Sequence, residues 1–478
     1  MTSNDLVVVL PGITGSTLGV RGDDGSPASA NLIWAPSAGA VWKLLTGGSS
    51  ILQKVLPEGI GDEHPGDGVE PVALMPDVHV LPGIWTPIRG YDVLVGSLEA
   101  QGYSRDGAGR APSLIAYAYD WRLSNRYNGQ RLKSVVEPAL ERLRAQGGAY
   151  ADAKVVFICH SMGGLVARWY IEKCGGAEVT RKLITLGTPW RGATDALEQL
   201  VNGVKKGIGP LSVDLTAFSR SMPSLFQLLP EYACIADGAG WAKTTEVSVP
   251  NVSTAMVADA MAFHTDLQAA ETARAASRTT THMVVGVRQP SQTTVTLRDG
   301  KAYTSQTFGS DNDYGDGTVS LTGAVGLGEA LDTNLAVRVP DQHTNLQCNQ
   351  VVLDQIQEIL TARPVRRRDE LKDTRVRATV PDLVTGGQPL KVTFDLESEL
   401  GGDEPPRKAM AVTVRSATGR TKGKVLARME PTVRRGHGVV SFADLPPGTH
   451  TVVVEGAEQG RTVRPVTSTT VVWPTSPR

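Results

Sequence analysis

Three runs in this sequence are apolar at nearly every position rather than at alternate ones: residues 6–10 (LVVVL), 154–159 (KVVFIC) and 182–186 (KLITL). A strand with one solvated face alternates apolar and polar side chains, so a continuous run means that both faces are covered. Segments with helical periodicity lie between these runs, at 131–145 (RLKSVVEPALERLRA) and 165–173 (LVARWYIEK). Buried strands alternating with helices predict a mostly parallel sheet with helices on both faces, an α/β architecture. MVVGV (283–287) is expected to resume the sheet and LAVRVP (335–340) to close it, with NQVVLDQIQEILTA (349–362) as a final helix.

Residues 195–280 interrupt the rhythm with short apolar clusters and an Ala-rich helical stretch, and are expected to form an insertion. From residue 363 the pattern changes again, to short alternating runs such as LKVTFDLE, AMAVTVRS and HTVVVEG separated by turns about ten residues apart, the signature of an antiparallel sandwich. The expected organisation is an α/β domain over 1–362 with a cap at about 195–280, a basic linker over 363–374 and an immunoglobulin-like β-sandwich over 375–478. At 478 residues, two or more cores are expected on length alone.

The chemistry points to VVFICHSMGG (155–164), where an apolar strand runs through a tight turn into a helix. A serine at such a turn is forced into a strained, exposed conformation, and the next backbone N–H, that of Met162, points at the oxygen that becomes negative during acyl transfer. This is the nucleophile elbow of an α/β-hydrolase fold, with Ser161 as candidate nucleophile. The usual first glycine of the pattern is replaced by Cys159, which sits inside the strand and is read as a packed thiol. A second oxyanion donor is expected from the turn after the first strand, VVVLPGITGSTL, through the backbone N–H of Ile13 or Thr14.

A serine hydroxyl needs a base, and the base needs an acid that fixes its tautomer. Of eight histidines, His160 is too near Ser161 along the chain, His64 and His79 precede the elbow, His264 and His282 precede any good acid loop, and His437 and His450 lie in the β region. His343, in VPDQHTNLQ between the last strand and the last helix, is the expected base. Asp316, in DNDYGDGTVSL, is the expected acid, with Asp311 and Asp313 as competitors. That acidic loop lacks the glycine and closing glutamate of a calcium loop, so no metal is expected.

Seven blocks together resemble one family, the lecithin:cholesterol acyltransferase-like lipases, which include lysosomal phospholipase A2 and phospholipid:diacylglycerol acyltransferase. They are PGITGSTL at 11, AYDWRLS at 118, CHSMGGLVARWY at 159, LITLGTPWRGA at 183, SMPSLFQLLP at 221, DGTV at 316 and QHTNL at 342. The resemblance implies Ser161, Asp316 and His343 as a catalytic triad, Ile13 and Met162 as oxyanion donors, and a cap over 195–280 that binds acyl chains. Thr14, Trp121, Phe218, Leu225 and Phe226 are the candidate substrate contacts. The cluster around Phe218 and Phe226 also fits plain packing between cap and core, and Asp120, Trp121 and Arg122 are read as mainly architectural. The C-terminal β region has no counterpart in the family pattern.

Composition narrows the function classes. The net charge is −1, with 20 Lys+Arg against 13 Asp+Glu after residue 362, a local +7 that leaves −8 for the rest. No recognisable nucleic-acid motif accompanies this charge, and no nucleic-acid partner is expected. Four scattered cysteines without CxxC pairs, and a start (MTSNDLVVVLPG) that does not read as a signal peptide, lead to an expected cytoplasmic location. Arg366, Arg367 and Arg368, interleaved with Asp369, Glu370 and Asp373, read as a solvated linker or as a peripheral membrane contact. The expected function is a serine hydrolase or acyltransferase on lipid acyl esters, without a cofactor. Two alternatives stay open: an esterase or thioesterase of small or carrier-bound acyl groups, and an effector whose β domain binds a protein partner.

Overall fold

The computed structural model describes residues 3–20, 31–35, 50–76, 90–105, 111–208, 211–238, 240–309, 311–326, 335–361, 374–398, 409–417, 423–457, 463 and 465–473. Most of the expected linker, including Arg366, Arg367, Arg368, Asp369, Glu370 and Asp373, lies outside the described residues.

Six strands form the central sheet: β1 (Leu6–Leu10), β2 (Leu114–Ala116), β3 (Val155–His160), β4 (Thr180–Leu186), β5 (Thr280–Gly286) and β6 (Ala336–Val339). Their order is β6-β5-β4-β3-β1-β2 and every pairing is parallel. The neighbouring inner strands β1 and β3 are buried at all their residues, as continuous apolar runs require. The register sets Leu10 beside Cys159 and Cys159 beside Thr185, so the carboxyl ends of β1, β3 and β4 lie side by side. The edge strand β2 has only three residues, too few for a periodicity to show.

Helices α1 (Asn125–Arg144) and α2 (Gly163–Lys173) follow β2 and β3. The α1 helix begins six residues before its apolar stripe, because the Ser124 hydroxyl accepts from the Arg126 N–H and caps it. The α2 helix is buried from Gly163 through Ile171, pressed among the sheet, α1 and α3 (Thr254–Ala273). Helix α4 (Gln350–Leu360) is capped by Asn349, whose side-chain Oδ1 accepts from the N–H groups of Val351 and Val352.

The region after β4 holds helices at Thr194–Asn202, Thr216–Arg220 and Pro223–Phe226, then α3. Its small sheet, however, recruits chain from beyond β5: Ile235–Asp237 pairs in parallel with Thr294–Arg298, which forms a hairpin with Lys301–Ser305. Alternation of helical and apolar segments marked an insertion ending near 280. A hairpin that returns across a strand leaves no such mark.

The turn before α1 is held by charge. The Arg122 guanidinium, fully buried, donates to both oxygens of Asp120 (2.7–3.2 Å) and to Asp67 (2.8 Å). Burial alone would lower the Arg122 pKa, and the two carboxylates more than offset it. These bonds tie Asp120 and Arg122 into the turn and to the segment carrying Asp67.

The C-terminal strands are β7 (Thr374–Thr379), β8 (Leu390–Ser398), β9 (Met410–Ser416), β10 (His437–Phe442), β11 (Gly448–Gly456) and β12 (Val466–Trp473). They form a three-stranded sheet, β7-β8-β10, and, with the short strands Leu383–Thr385 and Val425–Met429 at its edges, a five-stranded sheet with β12-β11-β9 at its centre. Alternate side chains of β10 are buried, and the two sheets enclose a separate core around Phe394, Val412, Phe442 and Val452. The chain is an α/β-hydrolase fold followed by a β domain.

Burial and the charges of Arg168 and Arg126 push the pKa of His264, on α3, down to about 4, while its Nε2–H donates to the Gln227 carbonyl. The folded imidazole is neutral where the unfolded one, with a pKa of about 6.5, takes up a proton. The sign follows: this contribution to stability is complete above pH ~6.5 and is lost as the pH falls toward 4. Urea unfolding of His264→Gln, which keeps a donor but does not titrate, should show a flatter fall in stability across that window than wild type.

Candidate active site

Ser161 follows β3 directly and takes φ of 52°, a left-handed conformation that costs a non-glycine residue about 1–3 kcal/mol. Its backbone is held in place: Ser161 N–H donates to Leu186 O (2.9 Å), and its carbonyl accepts from Thr188 Oγ1 (2.8 Å). A Cβ at Gly163 would stand 2.4 Å from the Pro11 carbonyl, so only glycine lets α2 start against the end of β1. Cys159 does not disturb this turn. It is fully buried within β3, where burial pushes its thiol pKa well up, so it is a packed thiol as expected.

Ser161 Oγ lies 2.8 Å from His343 Nε2, and His343 Nδ1 lies 2.7 Å from Asp316 Oδ2. The other Asp316 oxygen accepts from Thr318 N–H (3.0 Å) and Val319 N–H (2.8 Å), which aims the carboxylate. His343 N–H donates to the Asp316 carbonyl (2.8 Å), tying the base loop to the acid loop. A carboxylate on Nδ1 keeps the hydrogen there and leaves Nε2 free to accept from Ser161. The competing acids are placed elsewhere: Asp313 accepts from Thr322 N–H, and Asp311 is exposed. Gly187, at the end of β4 with φ of 60°, has room for no side chain, since a Cβ would stand 2.9 Å from Asp316 Oδ2 and 3.0 Å from His343 Nδ1.

Around the serine, a Cβ at Gly12 would stand 2.8 Å from Ser161 Cβ, so the turn carrying Ile13 lies against the candidate nucleophile. Met162 is buried at the start of α2. Thr14 takes φ of 63° and its carbonyl accepts from Trp34 Nε1 (3.1 Å). Trp121, Phe218, Leu225 and Phe226 are buried in the hydrolase core; Trp121 Nε1 donates to Ser16 O (3.1 Å) and its ring meets Phe218 edge-on at 6.1 Å.

Two residues join this site without having been assigned a part in it. His160 Nε2 faces the His343 carbonyl at 3.0 Å, and a carbonyl only accepts, so that nitrogen carries the hydrogen. Nδ1 then accepts from the Tyr91 hydroxyl (2.9 Å), which itself accepts from the Gly12 N–H (2.8 Å). Burial, with the charge of His343 adding to it, pushes the His160 pKa down to about 3, so the ring stays neutral and the chain of bonds intact. Tyr91 thereby links the Gly12–Ile13 turn to the backbone of the base. Elimination from the role of base had left His160 without one, and nothing local marks Tyr91, 70 residues upstream of Ser161. Among the described residues no three His, Cys, Asp or Glu side chains gather as a metal site.

The lecithin:cholesterol acyltransferase family model matches residues 85–308. That stretch contains Tyr91, the Asp120–Arg122 turn and Ser161, whereas Ile13, Asp316 and His343 lie outside it. None of the curated proteins matches the chain. Among solved structures, the Tle4-Tli4 complex is similar at 14% identity and TM-score 0.47, covering 71% of this chain and 92% of the other. The CARDB domain of a Pyrococcus furiosus protein is 16% identical with TM-score 0.15, covering 21% of this chain and 87% of the other. CopC from Methylosinus trichosporium OB3b is 15% identical with TM-score 0.16, covering 22% and 98%.

Tyr91→Phe removes the hydroxyl and strands two buried groups, the Gly12 N–H and His160 Nδ1. Denaturant unfolding should show a loss of about 1–3 kcal/mol, more than phenylalanine in place of an exposed tyrosine such as Tyr303 would produce.

Proposed function

We propose that this chain, whose residues 85–308 match the lecithin:cholesterol acyltransferase family model, is a serine hydrolase or acyltransferase of lipid acyl esters. The observation that carries the reading is the unbroken hydrogen-bonded series from Asp316 through His343 to Ser161, mounted on a strand–turn–helix elbow. Such a series is what a hydroxyl needs to become a nucleophile at neutral pH.

In this mechanism Ser161 Oγ attacks the ester carbonyl carbon while His343 Nε2 takes the hydroxyl proton. Negative charge moves onto the carbonyl oxygen, where the backbone N–H groups of Ile13 and Met162 stabilise it. The carbon–oxygen bond to the alcohol breaks and His343 returns the proton to the departing oxygen. Water, or a second alcohol in the transferase case, then attacks the acyl-enzyme with His343 again as base. Asp316 holds the imidazole and stabilises it when charged. The catalytic unit is residues 1–362, with the cap around Phe218 and Phe226 as the wall for the acyl chain.

Four free cysteines among the described residues support a reducing, cytoplasmic setting. No described helix is long and apolar enough to cross a membrane.

The test is labelling of purified protein with a fluorophosphonate, followed by release assays on short and long acyl esters. Ser161→Ala should take no label and lose roughly 10⁴–10⁶-fold in kcat, and Asp316→Asn about 10⁴-fold. Cys159→Gly should label like wild type. Equal labelling of Ser161→Ala would sink the assignment. A rate that falls with acyl length and ignores micelles would favour the small-ester or carrier-thioester alternative. For the cap, Phe218→Ala should shift acyl-length preference beyond its packing cost of about 3–5 kcal/mol.

A further inference from the structure

The β domain touches the hydrolase at the two loops that carry the acid and the base. On the base side, Asp341 and Gln342 immediately precede His343, and both turn their side chains to β12. Asp341 Oδ1 accepts from the Thr467 N–H (3.3 Å) as well as from Gln342 N–H (2.8 Å), and its Oδ2 accepts from Asn349 Nδ2 (2.7 Å). Gln342 Oε1 accepts from the Ser468 hydroxyl at 2.5 Å, and Asn345 Nδ2 donates to the Thr467 carbonyl. Trp473, at the far end of β12, packs against the hydrolase core.

On the acid side the contact runs through β7. Ala378 N–H donates to Gln289 Oε1 (3.5 Å), and the Arg377 guanidinium lies 3.5 Å over the Tyr314 ring. Gln289 N–H in turn donates to Gly315 O (2.9 Å), one residue before Asp316, and Ser291 Oγ accepts from the N–H groups of Gly315 (3.0 Å) and Gly317 (2.8 Å). Between the two contacts lies a cleft of about 150 Å³ whose walls include Asp316, His343, Thr344, Ala378 and Asp382. The junction at these loops is therefore built mainly of directional polar contacts, and it grips residues one to two positions from Asp316 and from His343. Polar contacts of this kind fix register and orientation.

We infer that the C-terminal β domain is a positioning module for the acid–base pair: β7 and β12 hold the Asp316 and His343 loops, with Gln342, Asn345 and Ser468 as positioning residues. The inference rests on the serine hydrolase reading. The base loop follows β6 by a few residues and precedes α4, and its anchors within the hydrolase include the His160 bond to the His343 carbonyl and the His343 N–H bond to Asp316. Neither anchor holds the side chains of Gln342 and Asn345, which flank the imidazole and depend on β12. A reacting pair must be held to within about 0.5 Å, and a displacement of about 1 Å can cost 10²-fold in rate. The β domain thus acts through His343 without touching substrate.

The test uses the full chain. The Gln342→Ala/Asn345→Ala double variant and Ser468→Ala are compared with Ser468→Thr, which keeps the hydroxyl, and with Val439→Ala on the exposed face of β10. Second-order fluorophosphonate labelling, and kcat and KM on a soluble chromogenic acyl ester, are measured beside circular dichroism. The double variant should label and turn over about 10- to 100-fold more slowly, with KM held within about twofold. Ser468→Ala should move the same way by less, with Ser468→Thr near wild type and Val439→Ala unchanged. Folded variants that label at the wild-type rate overturn the inference alone. Wild type that takes no label overturns the hydrolase reading and this inference with it. If the double variant does not fold, Ser468→Ala, which leaves the hydrolase sequence intact, decides between the same outcomes.

Discussion

The left-handed backbone of Ser161 is the constraint on which the rest of the site depends. A serine at φ of 52° is uphill by itself, and the surroundings over-determine it: β3 delivers the chain, Leu186 and Thr188 hold its amide and carbonyl, and α2 leaves at once from Gly163. Because Gly163 meets the Pro11 carbonyl and Gly12 meets Ser161, the first strand's turn is drawn to the same point. Adjacency of β1 and β3 in the sheet makes that meeting possible, although the two are about 150 residues apart.

Around this point buried polar groups join into one connected network. His160 and Tyr91 form a neutral bridge from the Gly12 turn to the base backbone, while Asp316 and His343 are joined twice, through side chain and main chain. Buried networks in which each member has its partner hold one geometry, whereas half-satisfied ones do not. The contacts of β12 with Asp341, Gln342 and Asn345 continue the network outward.

Much of this was legible in the residues. Continuous apolar runs announced the parallel sheet, the strand–turn–helix pattern announced Ser161, and the position of His343 between last strand and last helix singled it out among eight histidines. The structure brings Ser161, His343 and Asp316 within hydrogen-bonding reach in the expected order. Edge strand β2 was not legible, being only three residues long, and neither was the hairpin at 294–305 that pairs with the cap.

What the sequence determined by itself were the properties carried by local pattern: which segments bury both faces, where strand gives way to helix, and which residue types stand at a turn. Tertiary structure decided the long-range coincidences, namely that Tyr91 meets His160, that Asp316 rather than Asp313 faces His343, and that β12 grips the loop beside the base. The reason is physical. Periodicity and turn chemistry act over a few neighbouring residues, whereas a hydrogen bond between groups 69 or 126 positions apart exists only once sheet order and packing have brought their strands and loops together.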